Sequence, residues 1–290
     1  MTDEKMMAQI AEKRGFIAAL DQSGGSTPGA LRQYGIEDSA YSGDAEMFKL
    51  MHEMRVRIMT SPAFRGDKVI GAILFEATMD GQAHDKSVPT FLWENRGVVP
   101  FLKVDRGLDA LLTRAVKLGI FGTKMRSLIK LASKGGISAV VAQQFEVAAQ
   151  IAKHGLMPIL EPEVSIKSSQ KPDAETILLS ELTKGLDGLP SGRQVMLKLT
   201  IPDVPDLYAQ LIKHPRVIRV VALSGGYKRS DACARLAANH GMIASFSRAL
   251  IDDLKISMSD DAFDAALEGA IDEIYRASTI KADTGLPGVC

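Results

Sequence analysis

Residues 122–163 read GTKMRSLIKLASKGGISAVVAQQFEVAAQIAKHGLMPILEPE. Two short apolar segments that end in charges, Gly122–Ile129 (GTKMRSLI) and Leu156–Glu163 (LMPILEPE), flank a longer stretch. That stretch, Ser138–Lys153, carries Val141, Phe145, Ala148 and Ala152 at helical spacing and stops before Gly155. Strand, helix, strand is the unit from which helix-covered parallel sheets are built.

The same alternation continues in both directions. Upstream lie Phe16–Gln22 (FIAALDQ), Val69–Thr78 (VIGAILFEAT) and Val98–Asp105 (VVPFLKVD). Downstream lie Val195–Ile201 (VMLKLTI), Val217–Ser224 (VIRVVALS) and Met242–Arg248 (MIASFSR), which makes eight strand candidates. Ser230–Asn239 reads as a helix with a Ser start and a Gly241 stop. Ser259–Ala277 places Phe263, Leu267, Ile271 and Ile274 on one helical face. Eight alternations without a composition shift predict an α/β chain folded as one (β/α)8 TIM barrel over residues 1–290. Such a barrel typically needs about 250 residues. Residues 1–14 read as an N-terminal helix and 281–290 as a mobile tail. The longest connection, 23–68, contains GDAEMFKLMHEMRVRIMTSP, an amphipathic helix. It therefore reads as a loop–helix excursion after strand 1, not as a second domain. The rival architecture, an open doubly wound sheet, finds no G-x-G-x-x-G after any strand.

Composition excludes several function classes. Lys+Arg and Asp+Glu are both 35, one Trp is present and 6% of residues are aromatic, which is no footprint for nucleic acid. Cys233 and Cys290 are far apart, which excludes a disulfide scaffold and a cysteine zinc site and fits a reducing compartment. The histidines at 52, 84, 154, 214 and 240 lack metal-ligand spacing. The opening MTDEKMMAQIAEK does not read as a signal peptide, and no apolar run reaches the roughly 18 residues of a membrane span. A cytoplasmic protein with no membrane or nucleic-acid partner is expected. The Met-rich stretch Met47–Met59 leaves two readings open, a core stripe or the interface of a homo-oligomer.

The placement of charge is the informative feature. Side chains on barrel strands alternate inward and outward. Lys198 shares parity with Met196, Lys103 with Phe101, and Glu161 and Glu163 with Ile159; Lys124 and Arg126 share a face, and Asp21 ends its segment. Each alone has an ordinary reading: a lysine on a solvated edge, an aspartate capping a helix, a glutamate pair where a strand breaks at Pro162. Together they all fall at carboxyl ends of predicted strands, where barrel active sites lie. Lys103, Lys124, Arg126 and Lys198 against Asp21, Glu161 and Glu163 nearly balance, which makes a polar pocket tolerable. Ser224-Gly225-Gly226 and Ser245-Phe246-Ser247-Arg248 end strands 7 and 8, where barrels often hold phosphate. Asp21-Gln22-Ser23-Gly24-Gly25-Ser26 is a second turn of that kind. Two such regions suggest a substrate phosphorylated at both ends.

The segments ALDQSGGS, FLKVDRG, GTKMRS, ILEPE, VMLKLT, ALSGG and SFSRAL, in this order, resemble the class I (Schiff-base) fructose-bisphosphate aldolases, in particular the short bacterial branch. The insert YGIEDSAYSGDAEMFKLMHEMRVRIMTSPAF is similar to that branch as well, and the likeness spans roughly residues 10–280. It implies a lyase of glycolysis and gluconeogenesis that cleaves fructose 1,6-bisphosphate to dihydroxyacetone phosphate and glyceraldehyde 3-phosphate, with no cofactor and no metal. Lys198 would be the Schiff-base lysine, Glu161 the acid/base glutamate and Glu163 the second glutamate beside it. Lys124 would assist carbinolamine chemistry, and Asp21 would stand at the reacting carbons. Ser23, Ser26, Lys103 and Arg126 would contact the 6-phosphate end, and Ser224, Gly225, Ser245 and Arg248 the 1-phosphate.

Four positions depart from the family's animal members. Gly29-Ala30 stands where those have a basic pair, Met125 where they have Trp, and Cys290 where they end in Tyr. The chain also runs directly from Lys103-Val-Asp-Arg-Gly107 into LDALLTRAVKLG, without the usual longer excursion. Lys198 is expected to be held partly neutral by Lys124 and the pocket, because a free lysine with a pKa of about 10.4 is almost fully protonated at neutral pH. The alternatives are another Schiff-base aldolase or transaldolase acting on a phosphorylated sugar, or a non-catalytic binding barrel; the latter predicts loss of Lys198 or Glu161, and both are present.

Overall fold

The computed structural model describes residues 3–23, 27–104 and 108–282. Its main sheet has eight strands: β1 (Phe16–Leu20), β2 (Val69–Leu74), β3 (Val99–Lys103), β4 (Gly122–Ile129), β5 (Met157–Val164), β6 (Val195–Thr200), β7 (Val217–Leu223) and β8 (Ile243–Ala244). Each pairs in parallel with the next in sequence. The Ala19 amide donates to the Phe246 carbonyl at 3.0 Å, bringing the last segment against the first. The sheet is a (β/α)8 barrel, as the alternation predicts.

The first half of the chain carries α1 (Glu4–Glu12), α2 (Thr27–Tyr34), α3 (Gly43–Thr60), α4 (Glu76–Met79), α5 (Val88–Phe91) and α6 (Leu108–Lys117). The second half carries α7 (Lys134–Lys153), α8 (Lys171–Asp187), α9 (Ala209–Ile212), α10 (Arg229–Ala237), α11 (Arg248–Ile251) and α12 (Asp260–Thr279). Helix α12 starts where its sequence says it should: the Ser259 hydroxyl accepts from the Ala262 amide at 3.3 Å. Helix α7 starts four residues before Ser138, because Ser133 caps it by accepting from Gly136.

Two strand expectations are corrected. In VIGAILFEAT the strand ends at Leu74, since its ladder partners on both sides end at Leu20 and Leu102. The Phe75 carbonyl then accepts from the Thr78 and Met79 amides and starts α4. In MIASFSR the strand is only two residues long. Arg248 begins α11 and does not end a strand.

The excursion after β1 is helical, as read. Met47, Met51, Met54 and Met59 are buried in the outer core with Tyr34 and Ile36, so the methionine stripe packs inside the chain. A separate inner cluster fills the barrel: Ile17, Ile73, Val99, Phe101, Met157, Ile159, Met196, Val221 and Ile243 among others. Met6 and Ile10 of α1 join it and plug the amino end. Gln9 secures the plug by donating to the Ile70 and Gly97 carbonyls at 2.8 and 2.7 Å, and Arg219 donates to the Ile10 carbonyl at 2.9 Å. Burial of such apolar side chains stabilises by roughly 2 kcal/mol each. At Gly122 the inner wall is too tight for a side chain, because a Cβ would lie 2.3 Å from the Met157 carbonyl oxygen. The tail expected to be mobile, 281–290, lies almost wholly outside the described residues.

Candidate active site

Toward the carboxyl end of the barrel the inward positions turn from apolar to charged. On β5, Met157 and Ile159 belong to the inner cluster, and Glu161 and Glu163 follow on the same face. On β6, Lys198 follows Met196; on β3, Lys103 follows Phe101; on β4, Lys124 and Arg126 follow Gly122. Asp21 comes directly after β1. The two-residue period of a strand is the cause. All these side chains line one cavity of about 660 Å³, together with Ser23, Ser224, Gly225, Ser245 and Arg248. Every site residue expected from the sequence and described in the structure is therefore brought to one place. Ser26 lies outside the described residues.

At the floor of the cavity is a chain of alternating charge. The Lys124 ammonium sits 2.6 Å from Asp21 Oδ2 and 2.7 Å from Glu161 Oε2, and Lys198 Nζ sits 3.3 Å from Glu161 Oε1. All four residues are buried. Isolated charges at this depth would cost several kcal/mol each; pairing offsets that cost. Burial alone would raise the Asp21 carboxyl, but the ammonium groups of Lys124, Lys198 and Lys103 override it and hold Asp21 well below the usual carboxylate range. Burial alone would lower the Lys124 ammonium, yet Asp21 and Glu161 override that and push it above the ordinary lysine range. The two carboxylates therefore favour the charged form of Lys124.

Toward the rim, Arg126 donates through Nε to Glu163 at 2.6 Å, and Lys103 donates to the Ser23 hydroxyl at 2.5 Å. Thr200, which sequence reasoning missed, ties the ends of β5 and β6. Its hydroxyl donates to the Val164 carbonyl at 2.7 Å and accepts from the Val164 amide at 3.0 Å.

On the opposite side the turn after β7 is built by glycine. Gly225 and Gly226 have φ of +63° and +115°, which other residues adopt only with strain. A Cβ on Gly225 would also lie 2.6 Å from Ile166 Cγ2. The Arg248 guanidinium passes over this turn, with Nη2 3.3 Å from where a Gly226 Cβ would be. Backbone amides under a guanidinium suit a phosphate. Gln22, Gln33 and Ser247 also line the cavity; Gln22 and Ser247 lie in turns read from the sequence as phosphate-holding but had no role of their own there, and Gln33 was not anticipated. Ser247 had a signal, its shared parity with Ser245; Gln33 had none, because it arrives on α2 from outside the barrel. Among the described residues, no three His, Cys, Asp or Glu side chains are placed to hold a metal ion.

A (β/α)8 barrel with buried lysines set against carboxylates at its carboxyl mouth has the parts that a barrel lyase working through a protein imine needs. The chain is 51% identical to the fructose-bisphosphate aldolase class 1 of Synechocystis sp., over 95% of this chain and 97% of that one. It is 50% identical to the protein of the same name from Clostridium acetobutylicum, over 95% and 99%. The chain belongs to the class 1 fructose-bisphosphate aldolases. The fold is shared with the solved fructose-bisphosphate aldolase of Plasmodium falciparum, with a TM-score of 0.73 at 19% identity and 96% of each chain covered. No protein-family model matches the chain.

Proposed function

We propose that this chain reversibly cleaves fructose 1,6-bisphosphate to dihydroxyacetone phosphate and glyceraldehyde 3-phosphate, through an imine on Lys198. The observation that carries the reading is the buried ion chain Asp21–Lys124–Glu161–Lys198, in which the end of β1 meets the neighbouring strands β4, β5 and β6 across the barrel mouth. Breaking the C3–C4 bond leaves an electron pair on C3, and a lysine iminium at C2 is a sink for it.

The residues divide the work as follows. The Lys198 ammonium passes a proton to Glu161, 3.3 Å away, and the freed amine attacks C2; Glu161 then gives that proton to the carbinolamine hydroxyl, which departs as water and leaves the iminium. Glu161, again a carboxylate, then takes the C4 hydroxyl proton. The C4–O bond becomes a carbonyl, the C3–C4 pair moves into the enamine, and glyceraldehyde 3-phosphate leaves. Asp21, a carboxylate whose charged form the neighbouring ammonium groups favour, is a hydrogen-bond acceptor for orienting the C4 hydroxyl. Lys124, fixed between the two carboxylates, keeps both aimed at the reacting carbons. Protonation at C3 and hydrolysis of the imine release dihydroxyacetone phosphate.

Arg248 and the Gly225–Gly226 turn take one phosphate; Lys103, Arg126 and Ser23 take the other. Holding both ends converts binding energy into alignment. The enzyme acts as a single barrel domain in the cytoplasm, a reducing compartment that suits its two widely separated cysteines. The test is a coupled assay of triose phosphate release from fructose 1,6-bisphosphate in excess EDTA. Cleavage unaffected by the chelator is expected; cleavage abolished by it would move the reading to a metal-dependent aldolase.

A further inference from the structure

Beyond Leu20 the ladder of β1 ends, yet Asp21 must be placed accurately against Lys124. The group that holds the backbone there comes from the excursion helix. Arg55 on α3 is 1% exposed. Its Nη2 donates to the Gln22 carbonyl at 2.5 Å, with the Gln22 side-chain oxygen at 3.5 Å, and its Nη1 donates to Thr78 Oγ1 at 2.7 Å. Thr78 is fully buried on α4, the turn that follows β2. One guanidinium therefore joins three separate pieces of chain: the end of β1, α3 and α4.

The position is an expensive one for a cation. Arg55 lies on the face of α3 that carries Met51, Met54 and Ile58, all buried. Among the described residues no carboxylate lies within ion-pair distance of it, and Asp21 is the anion whose field reaches it. Burial lowers its pKa to about 10, with Asp21 opposing. A methionine would fill similar space without the desolvation cost.

We infer that Arg55 is a positioning residue for the reaction: by fixing the Gln22 carbonyl it fixes the backbone that presents Asp21, and so keeps that carboxylate on Lys124. The inference rests on the aldolase reading for what Asp21 does.

The test is a double-mutant cycle with Arg55→Met and Asp21→Asn, assayed by cleavage of fructose 1,6-bisphosphate. Arg55→Met is expected to lower kcat about 10- to 100-fold with KM within about threefold, since small misplacements near the chemistry cost this much. In the Asp21→Asn background the same change is expected to alter kcat less than about twofold, because the group it positions is already lost. Arg55→Lys, which keeps charge but not the fork, is expected to fall between the two. A wild-type kcat in Arg55→Met, or a loss that multiplies in full with Asp21→Asn, overturns the inference. If Arg55→Met does not fold, Thr78→Val removes one anchor alone; a kcat loss of about threefold or more that vanishes with Asp21→Asn supports the inference, and an unchanged kcat overturns it. If the wild-type protein does not cleave the sugar, the aldolase reading fails and a crystal structure of Arg55→Met decides this one: Asp21 displaced from Lys124 supports positioning, and Asp21 still at 2.6 Å overturns it.

Discussion

Lys124 is shared by two carboxylates, Asp21 at 2.6 Å and Glu161 at 2.7 Å, while among the described residues Lys198 has one carboxylate at ion-pair distance, Glu161 at 3.3 Å. That asymmetry separates two lysines of the same pocket into one favoured in its charged form and a candidate nucleophile. Arg248 illustrates a different economy: it is exposed, and its work is recognition at the mouth. Arg248→Ala is expected to raise KM for fructose 1,6-bisphosphate about tenfold or more and to change turnover of an unphosphorylated ketose less than about twofold, measured by steady-state kinetics. Equal effects on both substrates would remove its phosphate role. The residues of the ion chain were legible because strand parity is rigid: a charge two residues beyond Met196 or Ile159 has to point the same way as they do. Arg55 was not legible, because helix α3 reads as a core stripe and its hydrogen-bond partners lie 23 and 33 residues away in sequence.

Among the elements, the strands β3 to β7 follow the sequence reading to within two residues, while β8 and the end of β2 do not. Apolar runs specify that a strand exists, but its end is set by where neighbouring ladders stop, which is a tertiary fact. The amino-terminal helix shows the same limit. Its position was visible in the sequence; its function as a plug, with Ile10 fully buried in the barrel floor, was not. Because α1 closes the end away from the charged mouth, Ile10→Ala is expected to destabilise the fold by about 2–5 kcal/mol in urea unfolding while leaving kcat within about twofold of wild type. A large kcat loss in the folded variant would mean that the plug and the site are coupled.

For the molecule as a whole, the buried ion chain links the site to stability. Asp21 has a native pKa below its ordinary 3.8, so its contribution is complete above that value and is lost as pH falls below it. Lys124 has a native pKa above its ordinary 10.5, so its contribution is complete below that value and is lost as pH rises beyond it. Asp21→Asn is therefore expected to lower Tm by about 5 °C or more at pH 7, and the gap to wild type should close as pH drops from about 4 toward 2. A gap independent of pH in thermal scans would contradict the charge assignment.

The central claim is that the amine of Lys198 forms the imine. Incubation with dihydroxyacetone phosphate and borohydride, followed by peptide mapping, should give irreversible inactivation and a single adduct on Lys198 within VMLKLT. An adduct on Lys124 or Lys103, or full activity after reduction, would contradict it.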